Sequence, residues 1–110
     1  MSHLLEHISY HETVPTLERV RSWMQPDAQL TVEVPDMEWI MAEAMENPIW
    51  LAYVYGSQQH EGEFHRAGFT APTLLDVLTQ AGFREAEVRV FRSDHPHRPG
   101  MPCLEGTARA

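Results

Sequence analysis

Residues 70–91, TAPTLLDVLTQAGFREAEVRVF, decide the fold of this chain, because they predict a helix that leads directly into a strand. Thr70 is a favourable N-cap, Pro72 suits the first helical turn, and Gly82 suits the left-handed residue that ends a helix. Between them, apolar side chains recur on one helical face at Leu74, Val77, Leu78 and Ala81. Apolar and charged residues then alternate, so we predict a strand over residues 85–91.

The alternation of helices and strands extends outward from this segment in both directions. Upstream, periodicity and proline positions predict a helix over residues 12–24, a strand over 30–34, a helix that Asp36 begins, an apolar helix over 49–55 and a polar loop over 57–68. Downstream, a proline-rich loop over 93–102 precedes a weaker strand over 104–108. This order is typical of the second half of an α/β protein, and we predict one domain over residues 1–110.

Composition excludes several classes of function. The 110 residues include no lysine, which excludes Schiff-base chemistry and the lysine of phosphate-binding loops. A net charge of −8 argues against direct binding to nucleic acid, because the phosphate backbone attracts basic proteins and repels acidic ones.

The compartment is predicted from cysteine usage and from the absence of a long apolar stretch. Cys103 is the single cysteine, so no internal disulfide forms, and glutamates in the first twenty residues do not fit a secretory signal. The longest apolar stretch, residues 49–55, is far shorter than the roughly twenty residues that span a bilayer. We expect a cytoplasmic protein without a membrane span.

A group of histidines and one glutamate is the main candidate for chemistry. His3, Glu6 and His7 have the spacing i, i+3, i+4, which places their side chains on one face of a helical turn. His65, in the polar loop, is a candidate fourth ligand. Three imidazoles and one carboxylate favour zinc, iron, cobalt or manganese over magnesium, which prefers oxygen ligands.

Two other interpretations of the same residues remain open. In the first, Glu6 and His7 form a buried hydrogen-bonded pair and His65 caps the last helix, without any metal. In the second, the histidine-x-x-glutamate-histidine string is an inverted zincin motif, in which both histidines bind zinc and the glutamate activates water. That motif needs a distant third ligand, and the flanking pattern does not point to such a protease.

Short strings in order along the chain resemble class I S-adenosylmethionine-dependent methyltransferases. That family reads leucine-glutamate-histidine, then a helix and a glycine-containing turn, then a strand that ends in proline-aspartate, and later an alanine-glycine-phenylalanine exit from its last helix. The matching strings here are HLLEHI at 3–8, TLERVR at 16–21, QPDA at 25–28, the strand and Pro-Asp at 30–36, and AGF at 81–83. The turn QPDA lacks the glycines that the family has there, so a left-handed backbone conformation is less favourable in this turn.

The resemblance implies a fold, a cofactor and site residues. It implies an α/β fold that is a partial Rossmann-like methyltransferase sheet, consisting of the last three strands with a closing β-hairpin and flanking helices. It also implies S-adenosylmethionine as cofactor, with Ser2 and His3 nearest to it, and a small-molecule or sugar acceptor. A metal-dependent subset of O-methyltransferases resembles the cluster His3, Glu6, His7 and His65, although His3 stands where that subset has glutamate.

One departure from the family has physical consequences. The six glycines, at 56, 62, 68, 82, 100 and 106, form no glycine-rich loop after a strand, so the main cofactor cradle would lie before Met1. We therefore expect weak or no cofactor binding by the chain alone. Strand 30–34 would also present an open apolar edge, which predicts a homo-oligomer or a complementary methyltransferase chain. The alternative function is a non-catalytic interaction or regulatory module that pairs through this edge.

Overall fold

A computed structural model describes residues 1–44, 54–94, 96 and 99–110. Its helices are α1 (Tyr10–Trp23), α2 (Met37–Ala44) and α3 (Ala71–Gln80), with short 3-10 turns at Leu5–His7 and Glu61–Glu63. Its strands are β1 (Gln29–Pro35), β2 (Arg84–Arg92) and β3 (Pro102–Arg109). Of the helix predicted over 49–55, residues 49–53 lie outside the described part. No helix in the described part has the length and apolar character needed to span a bilayer.

The three strands form one antiparallel sheet in the order β1-β3-β2. β3 lies at the centre, with Val32 opposite Gly106 on one side and Val88 opposite Gly106 on the other. β2 and β3 are the predicted closing hairpin, and the mixed α/β fold class is confirmed. β3 is longer than the weak strand predicted over 104–108, because hydrogen bonds to neighbours on both sides extend it to eight residues.

The two faces of the sheet pack against different helices. On one face, α1 and α3 cover the strands and form the main core, whose fully buried members include Leu17, Val32, Leu74, Leu78 and Leu104. On the other face, Ile40 of α2 packs against Cys103 and Met101. At that end the Arg92 guanidinium lies 3.9 Å from the centre of the Trp39 ring and 2.8 Å from Glu43. This contact joins α2 to the end of β2.

Helix α3 begins and ends as the sequence predicts. The Thr70 hydroxyl accepts from the Thr73 amide and the Thr73 hydroxyl accepts from the Thr70 amide, which completes a capping box. Gly82 follows the helix with a positive φ of 93°, a conformation that glycine adopts at little cost. α3 packs closely on β3, since a Cβ at Gly106 would lie 3.1 Å from side-chain atoms of both Leu74 and Leu78.

Helix α1 begins two residues earlier than predicted. It starts at Tyr10, with Ser9 as N-cap, so Pro15 lies inside the helix. A proline there removes one backbone hydrogen bond, to the carbonyl of exposed His11 in the first turn, which the helix tolerates because Thr13 and Leu17 remain buried. The left-handed turn after α1 is retained without glycine, because Asp27 adopts a φ of 67°.

The prediction of a bare edge along residues 30–34 is wrong at the centre of that strand. Residues 1–3 run parallel to β1, with Ser2 bridged to Glu33. The Met1 amino group donates to the Thr31 carbonyl at 2.9 Å, the Glu33 amide donates to the Met1 carbonyl at 2.8 Å, and the His3 amide donates to the Glu33 carbonyl at 2.8 Å. β1 is therefore flanked on both sides at Thr31 and Glu33, by β3 and by the first three residues.

Candidate functional site

The candidate site lies where residues 1–3 and β1 end side by side. These two segments are parallel, so both carboxyl ends lie at the same edge of the sheet. Ser2 and His3 lie at this edge, and the Ser2 hydroxyl donates to the Glu33 carboxylate at 3.2 Å. The chain then turns through the 3-10 helix Leu5–His7, in which Leu5 is fully buried. Ligands of open α/β sheets bind beyond the carboxyl ends of the strands.

Glu6 is the most unusual residue of this turn, because its carboxylate is buried. The residue is 1% exposed. Its Oε1 atom lies 3.6 Å from Nδ1 of His3 and 3.8 Å from Nε2 of His7. Its Oε2 atom is also buried but accepts no hydrogen bond from the described residues. A buried acceptor without a partner is costly, so native proteins rarely leave one unless a ligand or water completes it.

The loop before α3 brings His65 to the same place. The amides of Arg66 and Ala67 donate to the Glu6 carbonyl at 2.7 and 3.1 Å. These two bonds fix the loop against the 3-10 turn, so that the His7 and His65 rings meet edge to face with centres 4.7 Å apart. Ligand atoms of Glu6, His7 and His65 all lie within 4.8 Å of one another.

The tautomer of His7 follows from its backbone contact. Nδ1 of His7 lies 3.1 Å from the Phe64 carbonyl. A carbonyl only accepts, so Nδ1 carries the proton, and in the neutral ring Nε2 keeps its lone pair on the side of Glu6. A backbone carbonyl that orients an imidazole in this way is typical of histidines that bind metal ions.

The polar loop is ordered by contacts of its own. The Ser57 hydroxyl donates to the Glu63 carboxylate, and the Gln59 amide donates to the same oxygen at 3.2 Å. The hydrogen bond from Ser57 holds the pKa of Glu63 below its ordinary value. His60 is exposed and does not belong to the group of Glu6, His7 and His65. Among the described side chains of the loop, that of His65 joins the candidate site, while Phe64, Arg66 and Ala67 contribute backbone groups.

The structure brings together three of the four predicted metal ligands. Among the described residues, the group with converging ligand atoms is Glu6, His7 and His65, and His3 lies outside it although it contacts Glu6. This placement does not fit the inverted zincin motif, in which both histidines of the string bind zinc. The alternative of a hydrogen-bonded Glu6–His7 pair with His65 as helix cap is not reproduced, because the Glu6 and His7 side chains lie 3.8 Å apart and Thr70 caps α3. Among the described residues, Oε2 of Glu6 has no hydrogen-bond partner. The donor set of one carboxylate and two imidazoles fits a divalent transition metal.

Asp36 is a further residue of this edge that the sequence did not single out for binding. It follows β1, it is 5% exposed, and within the described part of the chain its buried Oδ1 atom accepts no hydrogen bond. The sequence predicts it only as the N-cap of α2. No hydrogen bond joins its carboxylate to α2 in the described part of the chain. The available signal was its position after a strand, at the carboxyl edge where ligands bind.

Neither protein-family profiles nor characterised protein sequences match the chain. Solved structures do match it. A SAM-dependent methyltransferase from Methanosarcina mazei has a TM-score of 0.71 and 18% identity over 99% of this chain and 56% of its own. One from Archaeoglobus fulgidus has a TM-score of 0.65 and 15% identity over 100% of this chain and 57% of its own. The 1,6-didemethyltoxoflavin-N1-methyltransferase of Burkholderia thailandensis, with S-adenosylhomocysteine bound, has a TM-score of 0.59 and 22% identity.

The chain has the fold of a SAM-dependent methyltransferase segment. It spans 97–100% of its own length in these matches but only 40–57% of the three methyltransferases. The fold that the sequence resemblance implies, a partial methyltransferase sheet, is therefore confirmed.

Proposed function

We propose that this chain is the C-terminal part of a SAM-dependent methyltransferase that acts on a small-molecule or sugar acceptor. The observation that carries the proposal is the order of the strands. Residues 1–3 are parallel to β1, β1 is antiparallel to β3, and β3 is antiparallel to β2. This arrangement matches solved methyltransferases over nearly the whole chain. One of the similar structures is named for a methyltransferase of 1,6-didemethyltoxoflavin, which supports a small-molecule acceptor.

The proposed cofactor site is shared between this chain and a segment outside its 110 residues. Ser2 and His3 lie at the carboxyl end of the parallel pair, which is where the cofactor of such a sheet binds. The backbone at His3 is constrained there, with a φ of 51° and its amide bonded to Glu33. The chain contains no glycine-rich loop, so we expect it to bind S-adenosylmethionine weakly or not at all without a complementary polypeptide.

We also propose that Glu6, His7 and His65 hold a divalent metal ion, zinc, iron, cobalt or manganese, with His3 beside them. The support is the buried Glu6 oxygen that has no partner among the described residues, the tautomer of His7 and the convergence of the three side chains. Such an ion would lower the pKa of an acceptor hydroxyl. The protein residues would orient the site: the Phe64 carbonyl directs His7, and Arg66 and Ala67 fix the backbone of Glu6.

Association with a second chain, either another copy or a complementary half, is proposed at the outer strands. β1 and β2 are the two outer strands of the antiparallel sheet. The hydrogen bonds of residues 1–3 reach Thr31 and Glu33 and leave the Gln29 end of β1 without a parallel neighbour in the described part. Because the centre of this edge is covered, the alternative of a purely non-catalytic pairing module has less support. We place the protein in the cytoplasm, since its one cysteine, Cys103, cannot form an internal disulfide.

The test begins with the DNA upstream of the first codon. The proposal predicts that an in-frame or adjacent coding segment encodes strands and a glycine-rich loop. The encoded polypeptide is co-expressed with this chain, and the purified assembly is incubated with methyl-labelled S-adenosylmethionine and a small-molecule extract. We expect label in the small-molecule fraction, reduced at least tenfold by His7→Ala and unchanged by His11→Ala, which alters an exposed histidine outside the site. A non-coding upstream region, or an assembly that transfers no label, would overturn the proposal.

A further inference from the structure

Asp36 is a buried carboxylate that neither the metal group nor the sheet uses. Its backbone is fully engaged: the amide donates to the Pro102 carbonyl at 2.9 Å and the carbonyl accepts from the Ile40 amide at 3.0 Å. Its side chain takes part in none of the ion pairs of the described residues, and its buried Oδ1 accepts no hydrogen bond. The residue keeps 5% of its surface exposed. A carboxylate is an unfavourable choice for such a position unless a donor or a cation completes it.

The position of Asp36 places it beside the candidate site. Ser2 is bridged to Glu33, and Asp36 lies three residues further along the same strand direction, roughly 10 Å away at the rise of a β-strand. The segment 66–69 joins the two places. At one end it donates to the Glu6 carbonyl, and at the other Phe69 is bridged to Asp36 and accepts from the Met37 amide at 2.9 Å. Glu6 and Asp36 are therefore anchored by one four-residue segment at one edge of the sheet.

The approach of that segment to α2 is close. A Cβ at Gly68 would lie 2.6 Å from Cγ of Met37, so the segment passes directly against the Met37 side chain at the start of α2. The two buried carboxylates thus belong to residues whose backbones are held by the two ends of this segment. An ordinary structural aspartate would be paired or would cap the helix, and Asp36 does neither in the described part of the chain.

We propose that Asp36 binds a protonated nitrogen of the acceptor, so that the acceptor class is a small molecule that carries an amine. The identification of the bound amine as the methyl acceptor rests on the proposed function, whereas the amine-binding site at Asp36 does not. An ammonium group supplies both the positive charge and the N–H donors that the Asp36 carboxylate lacks. Asp36 then selects and positions the acceptor at the edge where residues 1–3 end.

The test uses the whole 110-residue chain, without S-adenosylmethionine or metal. Benzylamine and its neutral analogue benzyl alcohol are titrated into ¹⁵N-labelled protein, and amide shifts are followed by NMR. We expect benzylamine, and not benzyl alcohol, to shift the amide signals of Asp36, Met37 and Phe69. In Asp36→Asn the affinity for benzylamine should fall at least tenfold, whereas Glu38→Gln, which removes an exposed charge from the same helix, should leave it unchanged. Equal shifts with the alcohol, no shifts at all, or unchanged affinity in Asp36→Asn would overturn the proposal.

A second measurement, of thermal stability, tests the role of Asp36 without any ligand. An unpaired buried carboxylate that waits for a ligand destabilises the ligand-free protein, so Asp36→Asn should raise Tm by about 4 °C or more, and Glu38→Gln should not. A lower Tm in Asp36→Asn would show that Asp36 has a structural role, and would overturn the proposal. Failure of methyl transfer by the completed assembly, with amine binding at Asp36 intact, would reject the proposed function and leave the amine site.

Discussion

The substitution His7→Ala gives the sharpest test of the proposed metal-binding group of Glu6, His7 and His65. In His7→Ala the group Glu6, His7, His65 loses one of its two proposed nitrogen ligands, and His3 and His65 are the described histidines that remain near the buried Glu6 carboxylate. The side chain of His7 is 24% exposed, so its loss leaves a small surface depression and not a core cavity. The folded chain should therefore survive the substitution while the metal affinity falls.

The geometry sets how far the ligands must move. Zinc bonds of about 2.0–2.2 Å in a tetrahedral arrangement separate two ligand atoms by about 3.4 Å. The ligand atoms here lie within 4.8 Å of one another, so they must converge by about 1.4 Å at most. Small side-chain rotations are enough for such a shift. The proposed metal site would therefore need only a small rearrangement of its ligands.

The expected stabilisation follows from mass action. At a free zinc concentration of 100 times Kd, binding to the folded state alone adds about 2.7 kcal/mol to the free energy of unfolding. For a domain of this size that corresponds to a rise in Tm of roughly 10 °C. Differential scanning fluorimetry of protein purified without an affinity tag, with zinc and with EDTA, measures this shift. We expect His7→Ala to lose most of it.

Exposed histidines supply the matched controls. His11→Ala and His60→Ala alter histidines outside the group, so both variants should keep the full zinc-dependent shift. No shift in the wild-type protein, a retained shift in His7→Ala, or a lost shift in His11→Ala would each exclude a zinc site at Glu6, His7 and His65. The last outcome would mean that zinc binds at the surface and not at Glu6.

Three further predictions concern the packing and the charges of the sheet. Leu78→Ala should cost about 2–5 kcal/mol in urea denaturation because Leu78 is fully buried, whereas Leu75→Ala, at an exposed position of the same helix, should cost under about 1 kcal/mol. Gly106→Val should destabilise the fold by about 1–3 kcal/mol, since even a Cβ there meets two leucines at 3.1 Å, and a stability equal to wild type would show that α3 lies further from β3. The hydrogen bond from Arg89 lowers the pKa of Glu105, so this pair stabilises the fold above the ordinary glutamate pKa of about 4.3 and loses that effect as pH falls through the lowered pKa. The stability difference between wild type and Arg89→Gln, small because the pair is partly exposed, should be present at pH 6 and vanish at strongly acidic pH, and a constant difference would exclude the ion pair as its cause.

The elements that the sequence predicts well are those with local signals. Helix α3 has its cap, its apolar face and its terminal glycine within thirteen residues, from Thr70 to Gly82, and the structure reproduces all three. β3 shows the opposite case. Its sequence, PCLEGTAR, has a glycine in the middle and no clean alternation, and it becomes the central strand through pairing with residues about twenty and seventy positions away. Such pairing is not visible in a local pattern.

The candidate site also has one part that local spacing predicts and another that depends on long-range contacts. The spacing of Glu6 and His7 predicts that they share a turn, and the structure confirms their contact. The position of His65 depends on hydrogen bonds from the Arg66 and Ala67 amides to the Glu6 carbonyl, sixty residues away in the sequence. No spacing rule predicts these bonds. The coverage of β1 was missed for a related reason, because residues 1–3 are too short to be recognised as a strand.

The most direct measurement is calorimetric titration of S-adenosylmethionine into the chain alone and into the chain completed by a polypeptide that carries the glycine-rich segment. We expect no micromolar binding to the chain alone and a dissociation constant in the micromolar range for the completed assembly. Micromolar binding by the 110 residues themselves, or none by the completed assembly, would contradict the proposal of a shared cofactor site.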